Sequence, residues 1–248
     1  MIKQKIFIND IPAIRWGEPS KRLFLAVHGK FSHKEDLVIH TLAEEVIQKG
    51  YQLISFDLPE HGERVEEKVY PLTIQNAVSD LKCVLDYSSG LSEEISLFAC
   101  SLGAYFSLMA YKDYVFRQAL FLSPVVNMLS LIRGMMMAEG VSEELLKEKR
   151  SIETSFGEII EWDYYDYVKN NPVSYWKSRT SILYGEGDKI VSKKEIEEFC
   201  EMYSSQLHML EGSEHFFHTE HQLSFFRRWL KAVVLKRVIL TDPLTEQL

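Results

Sequence analysis

Short, almost wholly apolar runs alternate along this chain with stretches whose apolar positions recur every three or four residues. The runs at 22–27 (RLFLAV), 51–56, 95–99, 118–122, 181–184 and 206–210 read as strands, and the near-continuous 22–27 and 51–56 as strands buried on both faces. Residues 34–49 carry Leu37, Leu42, Val46 and Ile47 on one side, with Gly50 as a stop. Residues 73–87 turn Ile74, Ala77, Leu81, Val84 and Leu85 inward. A helix at 103–111 follows the 95–99 strand almost at once. Ser192-Lys193-Lys194-Glu195 has the form of a capping box opening a helix to 203. A last helix is expected over 219–237, then a polar tail. At the other end, strands 5–8 and 11–15 flank Asn9-Asp10, a pair suited to a tight hairpin turn.

Strands alternating with helices imply parallel pairing and right-handed crossovers. The pattern lapses between 125 and 176. That stretch holds Met128, Met135, Met136 and Met137, a helical segment near 142–149, and the aromatic run Trp162-Asp163-Tyr164-Tyr165-Asp166-Tyr167. The methionines and tyrosines are expected to pack the segment internally and onto the body. The chain therefore divides into a body, 1–124 with 177–248, and an insertion at 125–176. No repeat or low-complexity segment interrupts it.

Composition narrows the setting. The 248 residues are 46% hydrophobic and 26% charged, as in ordinary globular proteins. A formal net charge of -8 argues against nucleic acid or an anionic membrane surface as partner. No apolar run is long enough to span a bilayer, and Met1-Ile2-Lys3-Gln4-Lys5 does not open a signal peptide. The odd, scattered cysteines (Cys83, Cys100, Cys200) read as free thiols in a reducing cytoplasm.

The chemistry gathers at strand ends. Ala99-Cys100-Ser101-Leu102-Gly103 joins a strand to a helix and fits the nucleophile-elbow pattern Gly-x-Ser-x-Gly, with Ala in the first glycine place. Bulk two residues either side of the serine would clash in so tight a turn. The serine then stands at a helix N-terminus, where negative charge is favoured. A competing reading makes Ser101 only the helix N-cap. His28, Asp57, Asp188 and His215 also fall just beyond strands, where the crevice of an open parallel sheet lies. A serine nucleophile needs a base, and the base needs a carboxylate to hold its tautomer. Asp57 is an alternative acid and His218 a rival base. Histidines 28 and 61 sit in turns where a structural hydrogen-bonding role is expected. Cys100, one place before the serine, is expected to point away as a small buried hydrophobe.

The order Ser101, Asp188, His215 resembles the α/β-hydrolase superfamily. The His28-Gly29 loop, the loop from Asp57 to Gly62, Tyr184-Gly185-Glu186-Gly187-Asp188 and His215-Phe216-Phe217 match it as well, over roughly the whole chain outside 125–176. The resemblance implies the α/β-hydrolase fold, a mostly parallel central sheet with helices on both faces and a cap at 125–176. It implies Ser101 as nucleophile, His215 as base and Asp188 as its orienting acid. The backbone N–H groups of Lys30 and Leu102 would form the oxyanion hole. Lys30 departs from the apolar residue common at its position, and its ammonium lies either near the acyl site or in solvent. The expected activity is hydrolysis of a small carboxylic ester or thioester through an acyl-enzyme, with a small-molecule acyl substrate and no metal or organic cofactor. Amide or peptide hydrolysis, acyl transfer and non-catalytic ligand binding remain alternatives on the same site.

Overall fold

A computed structural model describes residues 1–234. The end of the last expected helix and the polar tail lie outside the described residues. Among the described residues ten strands and eight α-helices follow one another. The first hairpin is β1 (Lys3–Ile8) and β2 (Ile11–Trp16), with Asn9 and Asp10 at φ 46° and 67°. Both central residues at positive φ make the turn whose twist suits a hairpin. Then come β3 (Arg22–Val27), α1 (Leu37–Gln48), β4 (Gln52–Phe56), α2 (Ile74–Ser89), β5 (Glu94–Cys100), α3 (Ser101–Ala110) and β6 (Ala119–Leu122). The segment expected to differ holds α4 (Met128–Ala138), α5 (Glu143–Lys149), the antiparallel pair β7 (Ser151–Glu153) and β8 (Ile159–Glu161), and α6 (Trp162–Asn170). The body resumes with β9 (Thr180–Gly185), α7 (Lys193–Tyr203), β10 (Gln206–Leu210) and α8 (Glu220–Val233).

Eight strands form one sheet in the order β1-β2-β4-β3-β5-β6-β9-β10. Pairing is antiparallel between β1 and β2 and between β2 and β4, and parallel from β4 onward. Alternation within β3 shows the two-sided burial. Leu23, Leu25 and Val27 join the core shared with α2, α3 and α7, whereas Phe24 and Ala26 join the one shared with α1 and α8. All six residues of β3 are buried, which is why the run reads as continuous rather than alternating. The first of these cores also takes in Met128, Ile132, Met136, Trp162, Tyr165 and Val168, so the 125–176 segment packs on the body. Met137 is the exception among its methionines, 83% exposed.

Two expectations need correction. The helix expected from residue 34 starts at Leu37, behind the N-cap Asp36. Residue 34 is pulled out of it, because its N–H and ammonium both bind the Asp57 carboxylate, at 2.9 and 2.5 Å. At α7 only half of the expected box forms: the Ser192 hydroxyl accepts from the Glu195 N–H. The full reciprocal box sits on α8, between Thr219 and Gln222.

Candidate active site

Residue Ser101 is the first helical residue of α3, not its cap, and its φ is 45°. Positive φ in a non-glycine residue is strained. The turn is tight as well: a Cβ on Gly103 would lie 2.3 Å from the His28 carbonyl oxygen, so only glycine lets the helix start this close to the end of β3. Ala99 is fully buried. Cys100 packs on the opposite sheet face, among α1 and α8 residues, and burial pushes its thiol well above the usual range. All three cysteines are free.

The serine Oγ lies 2.7 Å from Nε2 of His215, and Nδ1 of that ring lies 2.6 Å from Oδ2 of Asp188. Asp188 is held in its own turn, where its Oδ1 accepts the N–H groups of Ile190 and Val191 at 2.8 and 3.0 Å. One carboxylate oxygen is thus spent on the turn, and the other is left for the imidazole. That places the proton on Nδ1 and leaves Nε2 to accept from the serine.

Two loops must be held together for this, since Asp188 follows β9 and His215 follows β10. The backbone stitches them, with Glu186 N–H donating to the Leu210 carbonyl and Gly187 N–H to that of Ser213, at 3.0 and 2.8 Å. The Ser213 hydroxyl accepts from the Gln222 amide at 2.8 Å, which ties the His215 loop to the capping box of α8. Within that cap lies His218, whose N–H donates to Gln222 and whose Nδ1 meets the Phe216 carbonyl, not the serine.

The loop after β3 passes beside the elbow, and a Cβ on Gly29 would sit 3.1 Å from Ser101 Cβ. The next residue, Lys30, sends its ammonium to Glu158, beside the β7–β8 turn. Its position in sequence gave no hint of that partner. The remaining candidate acid, Asp57, is saturated by Lys34 and by the Glu63 N–H at 3.0 Å, so the structure keeps it apart from His215. Residues His28 and His61 bond only to backbone.

A cavity of ≈ 270 Å³ opens between the 125–176 segment and α7, with Tyr105, Val126, Met128 and Phe199 in its lining and none of Ser101, Asp188 or His215. Among the described residues no group of three or more His, Cys, Asp or Glu is arranged to hold a metal ion. No helix among them is long and apolar enough to cross a membrane.

Sheet order, crossovers and the placing of loops at the carboxyl ends of the strands define the α/β-hydrolase fold. Solved structures of that fold superpose along nearly the whole chain. Est1E from Butyrivibrio proteoclasticus with bound ferulic acid matches at a TM-score of 0.75 and 17% identity, over 92% of this chain and 96% of its own. A putative hydrolase from Agrobacterium vitis matches at 0.75 and 16%, over 93% and 98%. A monoacylglycerol lipase from Paleococcus ferrophilus matches at 0.61 and 17%, over 93% and 98%. No protein-family model and no curated protein matches the chain.

Proposed function

We propose that the protein is a serine hydrolase that cleaves a small carboxylic ester, or a thioester, through an acyl-enzyme. The single observation behind this reading is the unbroken hydrogen-bonded chain from Ser101 Oγ through His215 to Asp188, with donor–acceptor distances of 2.7 and 2.6 Å.

In the first step Ser101 Oγ adds to the acyl carbonyl while His215 Nε2 takes its proton. Asp188 keeps the ring oriented and stabilises the imidazolium, without itself taking the proton. The oxyanion that forms is met by the N–H groups of Leu102 and Lys30. Leu102 lies in the first turn of α3, where N–H groups have no intrahelical partner. For Lys30, no backbone hydrogen bond from the N–H is present among the described residues. Donors aimed in advance at the developing charge contribute about 3 kcal/mol each. His215 then returns the proton to the departing alkoxide or thiolate. Water repeats the sequence on the acyl-enzyme and frees the acid. The 125–176 segment serves as a cap in this reading, reaching the oxyanion loop through Glu158 and Lys30. Among the superposed structures, the one named a monoacylglycerol lipase agrees with ester substrates.

Replacing Ser101 with Ala is expected to abolish turnover of p-nitrophenyl butyrate and labelling by a fluorophosphonate. Full turnover by that variant would refute the proposal. Product analysis with competing amine and alcohol nucleophiles separates hydrolysis from acyl transfer. A wild-type protein that binds small molecules but resists the fluorophosphonate would instead be a non-catalytic receptor.

A further inference from the structure

The backbone N–H of Lys30 works as an oxyanion donor only if it points one way, and the 28–31 loop has no regular secondary structure to set that direction. Two imidazoles do it instead. In a trans peptide the C=O and N–H are antiparallel, so fixing one end of the unit fixes the other. The unit that carries the Lys30 N–H has the Gly29 carbonyl at its other end, and that oxygen lies 2.7 Å from His28 Nδ1. His28 Nε2 accepts the Leu58 N–H at 3.1 Å, which places the ring proton on Nδ1 and makes it the donor to Gly29. The ring is 1% exposed, and burial lowers its pKa to about 4, so the neutral, donating tautomer persists well into acid.

The following unit is held in the opposite sense. The Phe31 N–H donates to His61 Nε2 at 3.2 Å, while His61 Nδ1 donates to the Pro59 carbonyl at 2.8 Å. Phe31 has a φ of 60°, in the left-handed region, with a side chain 78% exposed. So exposed a side chain offers little packing to hold the strained backbone, whereas its N–H is bound to His61. The two rings lie 5.3 Å apart, centroid to centroid, and both are anchored to the single turn 57–61.

We propose that His28 and His61 are positioning residues: together they clamp the peptide units on both sides of Lys30 and so aim its N–H at the oxyanion. The proposal rests on the ester-hydrolase reading for its catalytic consequence, but not for the clamp itself. His28 fixes the donor's direction through the carbonyl end, and His61 keeps the strained turn from relaxing.

The test compares His61→Leu, which removes the acceptor, with His61→Gln, whose carboxamide oxygen reaches the place of Nε2. Losing an oxyanion donor outright costs about 100- to 1,000-fold in kcat. A donor left unaimed should cost part of that. His61→Leu is therefore expected to lower kcat on p-nitrophenyl butyrate by about 10- to 100-fold with KM within about twofold. His61→Gln is expected to recover most of the loss. Amide hydrogen exchange at Phe31, slow in the wild type, should quicken at least about tenfold in His61→Leu and slow again in His61→Gln. Unchanged exchange at Phe31 in folded His61→Leu overturns the clamp. So does a kcat loss equally large in both variants when both are folded. If the wild type turns over no ester, the hydrolase reading fails, and exchange at Phe31 still decides the clamp.

Discussion

Two aspartates with fully buried side chains stand just beyond separate strands of the same sheet, and only one of them meets a histidine. Asp57 follows β4 and takes the Lys34 N–H, the Lys34 ammonium and the Glu63 N–H. Asp188 follows β9 and gives one oxygen to two turn N–H groups and the other to His215. Neither side chain has any exposed surface. What differs is the partner's freedom. An ammonium locked at 2.5 Å, itself 3% exposed, makes a carboxylate part of the framework. An imidazole that also touches a serine makes it, in the proposed reading, the orienting acid of a proton path. Burial of a charge therefore does not mark the proposed site; the second nitrogen of its partner, turned to a serine hydroxyl, does.

Substitution at the two positions should separate the roles most widely. Asp188→Asn leaves the turn acceptor in place but offers His215 the wrong group. It should lower kcat by about four orders of magnitude if this acid behaves as in serine proteases. Its thermal midpoint should stay near that of the wild type. Asp57→Asn should do the reverse. It leaves a buried ammonium with only Glu63 beside it, at 2.7 Å, and breaking a buried ion pair costs about 3–5 kcal/mol. Denaturant titration should show that loss, with kcat of the folded fraction changed less than about tenfold. If Asp57→Asn instead matched Asp188→Asn in turnover, the distinction would collapse.

The same contrast explains what was legible in sequence. β3 is found where its run lies, at 22–27, because burial on both faces keeps that run unbroken. β10 is found at 206–210 as well, but it is an edge strand of the sheet, with only Leu210 buried. Ser101 stood out because it directly follows an apolar run, and Asp188 and His215 because each lies in the loop beyond a strand. Lys34 did not, because nothing local shows that it abandons the helix for a carboxylate 23 residues away. In the 125–176 segment, α6 buries Trp162, Tyr165 and Val168 at three-residue spacing, but the tyrosines between them hide the period. The β7–β8 pair is three residues a strand, too short for alternation to register. Asp57 and Asp188 have the same local signature, a carboxylate after an apolar strand. Only the fold tells them apart.

Protonation probes the framework side more gently. His28 is neutral in the folded protein with a pKa lowered to about 4 by burial, against 6.5 when unfolded. The unfolded chain binds that proton first as pH falls. Stability from this group is thus complete above about pH 6.5, and it is lost progressively down to about pH 4. The shift corresponds to a loss on the order of 3 kcal/mol. Thermal midpoints measured between pH 7 and 4 should fall more steeply in the wild type than in His28→Asn, which has no proton to gain. Parallel curves would mean that His28 is not kept neutral by its surroundings.

The smallest effect is expected where the proposed site meets the 125–176 segment. Lys30 and Glu158 pair with side chains 39% and 26% exposed, so water screens them, and such pairs are worth about 0–1 kcal/mol. The proposed oxyanion donor is the backbone of Lys30, not its ammonium. Lys30→Met therefore keeps the N–H and the peptide units held by His28 and His61. It should change kcat by less than about fivefold, and raising salt should change wild-type turnover about as little. A loss of 100-fold or more in Lys30→Met would move the ammonium from the rim into the chemistry. Lys30 would then belong with Asp188 on the functional side of the comparison, and Glu158 would be its counterpart in the segment above.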